Sequence, residues 1–150
     1  MGPYEVNGLQ LPPLLVELLQ QDRWRHPGDE VLRQLLPFVG EPVEFLTDVE
    51  AMRRESRGFL AGDGDSAKWF HEARGSKTSE PICLPWLDVE LAVFIAVNRA
   101  LGDDLGIALD YRTASDDPRI VASDWGQDAT GCLWREVAPT FSQFARMLAL

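Results

Sequence analysis

The first third of the chain has the apolar spacing of amphipathic helices. Leucines recur at intervals of three and four between Leu11 and Leu19, which places them along one face of a helix. Pro12 and Pro13 suit the first turn of this helix, since a missing backbone N–H costs little there. The pattern from residue 29 to residue 36 predicts a second, shorter helix.

The next segment combines a short apolar run with a helix start signal. Residues 43–46 predict a strand, and a third helix is expected from about residue 48 to residue 57. Thr47 and Glu50 have the spacing of a capping box, in which each side chain bonds an unpaired backbone N–H of the other.

The second half of the chain has the pattern of strands separated by turns. Short, β-branched or aromatic runs at residues 92–97, 106–111, 119–123 and 132–137 predict four strands. The first of these strands has a helical alternative, because a helix also fits the spacing of Leu87, Leu91, Phe94 and Ile95. Thr140, three residues before Gln143, repeats the capping signal and predicts a last helix.

Strands that follow one another through short turns pair as an antiparallel meander. The order of elements therefore predicts an α+β fold, in which an antiparallel β-meander sheet packs with N-terminal helices and a C-terminal helix. We find no repeat or linker, and 150 residues is a common size for one domain, so a single domain is expected over residues 1–150.

Net charge narrows the range of partners. The chain has 24 acidic and 14 basic residues and a formal charge of −10. Residues 81–130 hold nine of the acids and three of the bases. An acidic surface repels nucleic acid and anionic lipid, and it accelerates encounter with a basic protein. Solubility alone is the competing explanation for this charge.

The cysteines and the start of the chain indicate a cytoplasmic protein. Cys83 and Cys132 match neither a zinc spacing nor a redox pair, and their apolar neighbours predict buried thiols. A disulfide between them stays open, although no export signal favours it. The longest apolar run, from Leu91 to Val97, is too short to cross a bilayer. We expect a cytoplasmic location and no contact with a membrane.

The sequence contains no convincing catalytic or cofactor motif. His71 and Glu72 could pair as base and orienting group, but adjacent side chains point in different directions. The loop Asp63-Gly64-Asp65 begins like a calcium site, yet Lys68 stands where such a loop needs glycine. No phosphate-binding loop is present. We therefore expect no enzymatic activity, no metal and no cofactor.

The acidic turns of the second half are the candidate partner-binding residues. Trp125 follows a predicted strand and has several aspartates near it in sequence, as an aromatic anchor for an arginine-rich partner would. Packing of Trp125 in the core is the alternative. The candidate partner-binding set is Asp103, Asp104, Asp116, Asp117, Asp124 and Trp125.

The second half of the sequence resembles bacterial members of the SUKH superfamily, which comprises cell-wall-assembly regulators and toxin-immunity proteins. The resemblance covers roughly residues 81–150 and is a pattern of strands and turns without a catalytic signature. It is carried by Pro85-Trp86-Leu87-Asp88, residues 92–98, Gly102-Asp103-Asp104, residues 107–112, residues 121–125 and residues 134–141.

The resemblance implies an α+β fold and a role in binding and neutralising toxins, many of which are nucleases. Nuclease toxins tend to be basic because they hold phosphate, and an acidic inhibitor can occupy that surface. We therefore expect an immunity-like, non-catalytic module that binds a basic protein and not nucleic acid. The alternative is a housekeeping scaffold or regulator of the same fold without a toxin partner. The oligomeric state stays open.

Overall fold

The computed structural model describes residues 2–39, 42–57, 91–99, 106–124 and 133–150. Within these ranges it confirms the α+β class. The elements in chain order are β1 (Glu5–Val6), β2 (Leu9–Gln10), α1 (Pro13–Gln20), α2 (Asp29–Leu35), β3 (Val43–Phe45), α3 (Val49–Arg57), β4 (Ala92–Asn98), β5 (Gly106–Asp110), β6 (Arg119–Asp124), β7 (Leu133–Ala138) and α4 (Phe141–Met147).

The strands β3 to β7 form one antiparallel sheet in sequence order, so the predicted meander is confirmed. The helical alternative for the segment around Phe94 is wrong, since this segment is β4 and pairs with β5. Residues 92–97 are buried without alternation because both faces of the sheet are covered. This explains why the run lacks the polar–apolar period of a one-sided strand.

An aromatic cluster joins the helices to one face of the sheet. The Trp24 ring stacks on Phe45 of β3 with 4.6 Å between centroids. It also contacts Phe141 and Phe144 of α4, at 5.6 and 6.5 Å. Each such aromatic pair adds about 0.5–1.5 kcal/mol to the apolar burial. Trp24 therefore anchors the C-terminal helix to the first strand of the sheet.

The opposite face of the sheet is closed by a second aromatic contact. The rings of Phe94 and Trp134 meet edge to face at 5.9 Å. Gly106 of β5 lies against both, and a Cβ there would be 2.9 Å from the Phe94 ring and 3.3 Å from the Trp134 ring. Glycine is required here because any side chain would overlap the packed rings.

A small hairpin near the N terminus was not predicted from the sequence. It joins β1 to β2, with Val6 paired to Leu9. The two turn residues, Asn7 and Gly8, have φ of 52° and 81°. An Asn-Gly pair with positive φ at both positions defines the hairpin turn that matches the twist of the strands. This dipeptide was the available signal.

The start of α3 differs from the capping box that was predicted at Thr47. The Asp48 side chain accepts the backbone N–H of Ala51 at 2.7 Å, so the cap lies one residue later. Glu50 forms an ion pair with Arg53 instead of returning to the helix start. Asp48 competes well with threonine because a carboxylate is a strong acceptor at the positive end of a helix.

Arg53 fastens the hairpin to α3. Its Nε donates to the Glu5 carbonyl at 2.9 Å, and its Nη2 donates to the Gly2 carbonyl at 2.8 Å.

At α4 the predicted cap is confirmed, with the Thr140 hydroxyl accepting the Gln143 N–H at 3.1 Å.

Candidate functional site

The predicted partner-binding residues differ in whether the structure describes them and in whether their side chains are exposed. Asp103, Asp104 and Trp125 lie outside the described residues. Asp116, Asp117 and Asp124 are described, and only Asp116 is an exposed side chain. The electrostatic hypothesis therefore has to be considered one residue at a time.

Asp124 is part of the sheet and not of an open surface. It is 6% exposed and forms an ion pair with Arg135 on the neighbouring strand β7. Carboxylates that are mostly removed from water need such a partner, since an unpaired charge there is costly. The Arg135 side chain is 57% exposed, so the outer group at this position is a cation.

Asp117 supports the C-terminal helix. Its Oδ1 accepts the Ser142 backbone N–H at 3.1 Å, and its Oδ2 accepts the Ser142 hydroxyl at 2.7 Å. Ser142 lies in the first turn of α4, where backbone donors have no helical partner. The half-buried carboxylate therefore acts as a second cap beside Thr140.

Asp116 borders a groove with a volume of about 910 Å³. Three segments surround it: the β1–β2 hairpin, the exposed side of α1, and the chain that follows β5. The groove is lined by Gly8, Leu9, Gln10, Leu11, Pro13, Val16, Glu17, Gln20, Tyr111, Ser115 and Asp116. Its size lies within the range typical of ligand-binding clefts.

Tyr111 ties two sides of the groove together. Its hydroxyl group donates to the Gln10 carbonyl at 2.7 Å, and the side chain is largely buried. Burial raises the pKa of Tyr111 far above the ordinary value for tyrosine, so the group stays neutral and remains a donor. The hairpin is thereby held next to the end of β5.

Among the described lining residues, the ionisable groups other than Tyr111 are two carboxylates. Glu17 and Asp116 are exposed, and none of the described lining residues is basic. Glu17 accepts one hydrogen bond, from the Gln21 side chain at 3.2 Å. Leu9 and Val16 give the groove apolar surface beside these charges. The groove therefore suits a ligand that is both cationic and partly apolar.

Sequence reasoning missed a buried charge cluster at the end of β5. Asp110 is fully buried, and its oxygens accept from the Arg112 Nε and the Arg119 Nε, each at 2.9 Å. Arg119 also approaches Glu136 at 3.7 Å. Burial by itself would raise the pKa of Asp110, but the hydrogen bonds and charges of the two arginines hold it below the ordinary value.

This cluster serves the sheet. Asp110 and Arg119 face each other across β5 and β6. Pairing the two predicted strands in this register would have placed the two opposite charges side by side. The two arginines offset the negative charge of Asp110 inside the fold. Asp110 therefore adds nothing to an acidic docking surface, although it belongs to the most acidic part of the sequence.

The His26 side chain makes several contacts in the fold. Its Nδ1 accepts the Gly28 N–H at 2.9 Å, and its ring contacts Phe45 at 5.3 Å between centroids. Its Nε2 is 3.4 Å from Asp29, which Arg99 also binds. The hydrogen bond from Arg99 lowers the pKa of Asp29.

Other candidate chemistry falls mostly outside the described part of the chain. His71, Glu72, Cys83 and Cys132 are not among the described residues. Within the residues that are described, no group of three histidine, cysteine or acidic side chains is arranged to hold a metal ion. No helix in the same ranges is long and apolar enough to span a bilayer.

No family model, curated protein or solved structure matches this chain. The SUKH resemblance therefore stays a prediction from the residues quoted above.

Proposed function

We propose that this chain is a non-catalytic protein-binding module that is immunity-like and neutralises a basic toxin by covering its surface. The observation that carries the proposal is the groove beside Asp116, where both exposed charges among the described lining residues are negative. The formal charge of −10 supports it, and so does the resemblance to SUKH immunity proteins. Under this proposal the protein acts in the cytoplasm and binds neither nucleic acid nor a membrane.

The physical basis is electrostatic complementarity. A nuclease toxin carries basic residues to hold phosphate, so an inhibitor with acidic groups around a recess can cover those residues. Complementary charge also raises the association rate, from about 10⁵–10⁶ M⁻¹s⁻¹ for neutral pairs up to about 10⁸–10⁹ M⁻¹s⁻¹ at low salt. Fast capture matters for an inhibitor that has to act before its target reaches nucleic acid.

The test is co-expression with a basic toxin domain encoded by a neighbouring gene. We expect the wild-type chain to protect growth and to bind the purified toxin domain, with affinity falling as salt rises. Absence of both binding and protection would overturn the proposal. Binding without protection would overturn the neutralising role, whereas the absence of both would favour a scaffold or regulatory protein without a toxin partner.

Charge reversal has to avoid aspartates that support the fold. Asp117 and Asp124 are unsuitable because they hold Ser142 and Arg135. Asp116→Lys is the informative single variant, and Asp103→Lys with Asp104→Lys forms a second set.

The matched control for Asp116→Lys is Glu30→Lys, an exposed position on α2 that makes the same change in net charge. Equal loss of toxin affinity in the two variants would contradict a localised acidic interface.

A further inference from the structure

We infer that the groove between the β1–β2 hairpin, α1 and residues 111–116 binds an extended, arginine-bearing segment of the partner protein. The inference rests on the proposed function and specifies where and how the partner docks. Glu17 and Asp116 are the acceptors for arginine side chains of the segment, while Leu9 and Val16 contact its apolar side chains.

The first argument is charge complementarity. Among the described residues that line the groove, two are exposed carboxylates and none is a cation, so an anionic or phosphate-bearing ligand is repelled. Arginine fits better than lysine because its planar guanidinium can pair with a carboxylate through two parallel hydrogen bonds. The same charges make nucleic acid an unfavourable occupant.

The second argument is the arrangement of α1. Its buried side packs Leu15 and Leu18 into the core. Pro13, Val16 and Gln20, three and four positions apart, line the groove together with Glu17. Side chains at this spacing share one face of a helix, so α1 presents a continuous strip to a ligand.

The third argument is that the groove is held open by the fold. Tyr111 fixes the hairpin through the Gln10 carbonyl, and Arg53 fixes it through the Glu5 carbonyl. A recess with a fixed hairpin wall loses little conformational entropy when it is occupied. A recess of about 910 Å³ accommodates several residues of an extended chain.

The probe is a short fluorescein-labelled peptide that alternates arginine with valine, titrated into the purified chain and followed by anisotropy. Glu17→Gln with Asp116→Asn removes both charges from the groove, and Gln20→Arg places a cation in it. We expect each of these changes to weaken peptide binding about tenfold or more, since a tenfold change corresponds to about 1.4 kcal/mol.

Matched controls separate a local site from the overall charge. Glu30→Gln with Glu44→Gln makes the same change in net charge on exposed positions outside the groove lining. Gln34→Arg adds one cation on the exposed surface of α2. Both controls are expected to change peptide affinity by less than about twofold, because distant surface charges are screened.

Several results would overturn the inference. Equal weakening by groove and control variants would indicate a diffuse charge effect, and no weakening would place the peptide elsewhere. Absence of peptide binding to the wild-type chain would also overturn the inference that the groove is the docking site. A dimer in sedimentation velocity that Gln20→Arg dissociates would identify a second copy as the occupant.

The toxin-protection assay is scored separately, so rejection of the groove leaves the proposed function to be judged by that assay alone. Protection by a chain whose groove variants bind like wild type would retain the proposed function and reject only this docking site.

Discussion

The carboxylate of Asp117 holds both the backbone N–H and the hydroxyl group of Ser142, at 3.1 and 2.7 Å. An acidic residue in a turn thereby fixes the start of a helix 25 positions later in the sequence. Its negative charge is also favourable at the positive end of the α4 dipole. The sequence analysis grouped Asp117 with the aspartates near it in the chain, but in the structure its carboxylate contacts the first turn of α4.

We predict that Asp117→Ala lowers the free energy of unfolding by about 1–2 kcal/mol, as loss of a helix cap does. Urea denaturation followed by circular dichroism measures the change. Asp116→Ala is the control, because its carboxylate is exposed and the substitution should stay within about 0.5 kcal/mol of wild type. Identical urea midpoints for the two variants would reject the capping role.

The Asp110 cluster predicts acid sensitivity. The folded-state pKa of Asp110 is lowered by Arg112 and Arg119 despite burial, so its charge favours the folded state. This stabilisation is complete above the unfolded pKa, which is about 3.9, and it is lost as the pH falls through the folded value. Asp110→Asn should therefore cost about 3–5 kcal/mol at neutral pH, because two arginines keep no anionic partner at this position.

The difference between wild type and Asp110→Asn should shrink as the pH falls below about 4, where the carboxyl group of the unfolded chain begins to protonate, and should be lost below the lowered folded-state pKa. Urea midpoints at neutral, mildly acidic and strongly acidic pH test this. Asp116→Asn is the control, because it makes the same chemical change at an exposed side chain. If Asp110→Asn does not fold, Arg119→Gln gives the same comparison in milder form. A wild-type-to-variant gap that is constant with pH would contradict the prediction.

Gly106 should not tolerate even a methyl group. A Cβ would lie 2.9 Å from the Phe94 ring, which is fully buried and has little room to move. We expect Gly106→Ala to lower the free energy of unfolding by about 1–3 kcal/mol, as overpacking does. A thermal melt of the purified variant measures this.

A double-mutant cycle shows whether steric overlap is the cause. In a Phe94→Leu background the smaller side chain leaves space, so the additional cost of Gly106→Ala should fall. Equal costs in the two backgrounds would mean that the Phe94 ring is not what excludes a side chain at residue 106.

The hairpin turn gives a prediction about backbone strain alone. Gly8 has φ of 81°, and no atom lies within 4 Å of the site that a Cβ would occupy. Gly8→Ala should cost about 1 kcal/mol from the left-handed conformation, whereas Gly8→Asn should cost less because asparagine tolerates that conformation. Urea midpoints measure the loss of stability in both variants. A larger loss for Gly8→Asn than for Gly8→Ala would contradict the prediction.

The sheet was predictable because each of its longer strands has a recognisable local sequence pattern. Residues 92–97 form an unbroken apolar run, which matches a strand buried on both faces. The helices α1, α2 and α4 followed from apolar spacing and start signals. The cap of α3 was misplaced by one residue because Thr47 and Asp48 are both good caps, and only the structure shows which one reaches the helix.

The candidate site was predictable only in part. Asp116 was selected from its charge, and its exposure agrees with that selection. The groove itself could not be found, because its walls come from residues 8–20 and residues 111–116, far apart along the chain. Asp124 was selected for the same charge, but in the structure its carboxylate pairs with Arg135 on the neighbouring strand β7.

The contacts of the N-terminal hairpin have a kinetic consequence. The carbonyl of Gln10 is bound by a tyrosine 101 positions later, and that of Glu5 by an arginine 48 positions later. Contacts between distant positions in the chain form slowly, since a long loop has to close first. During synthesis the hairpin emerges before Tyr111, so it gains this anchor only after Tyr111 has left the ribosome. The groove wall should therefore be among the last parts of the molecule to form.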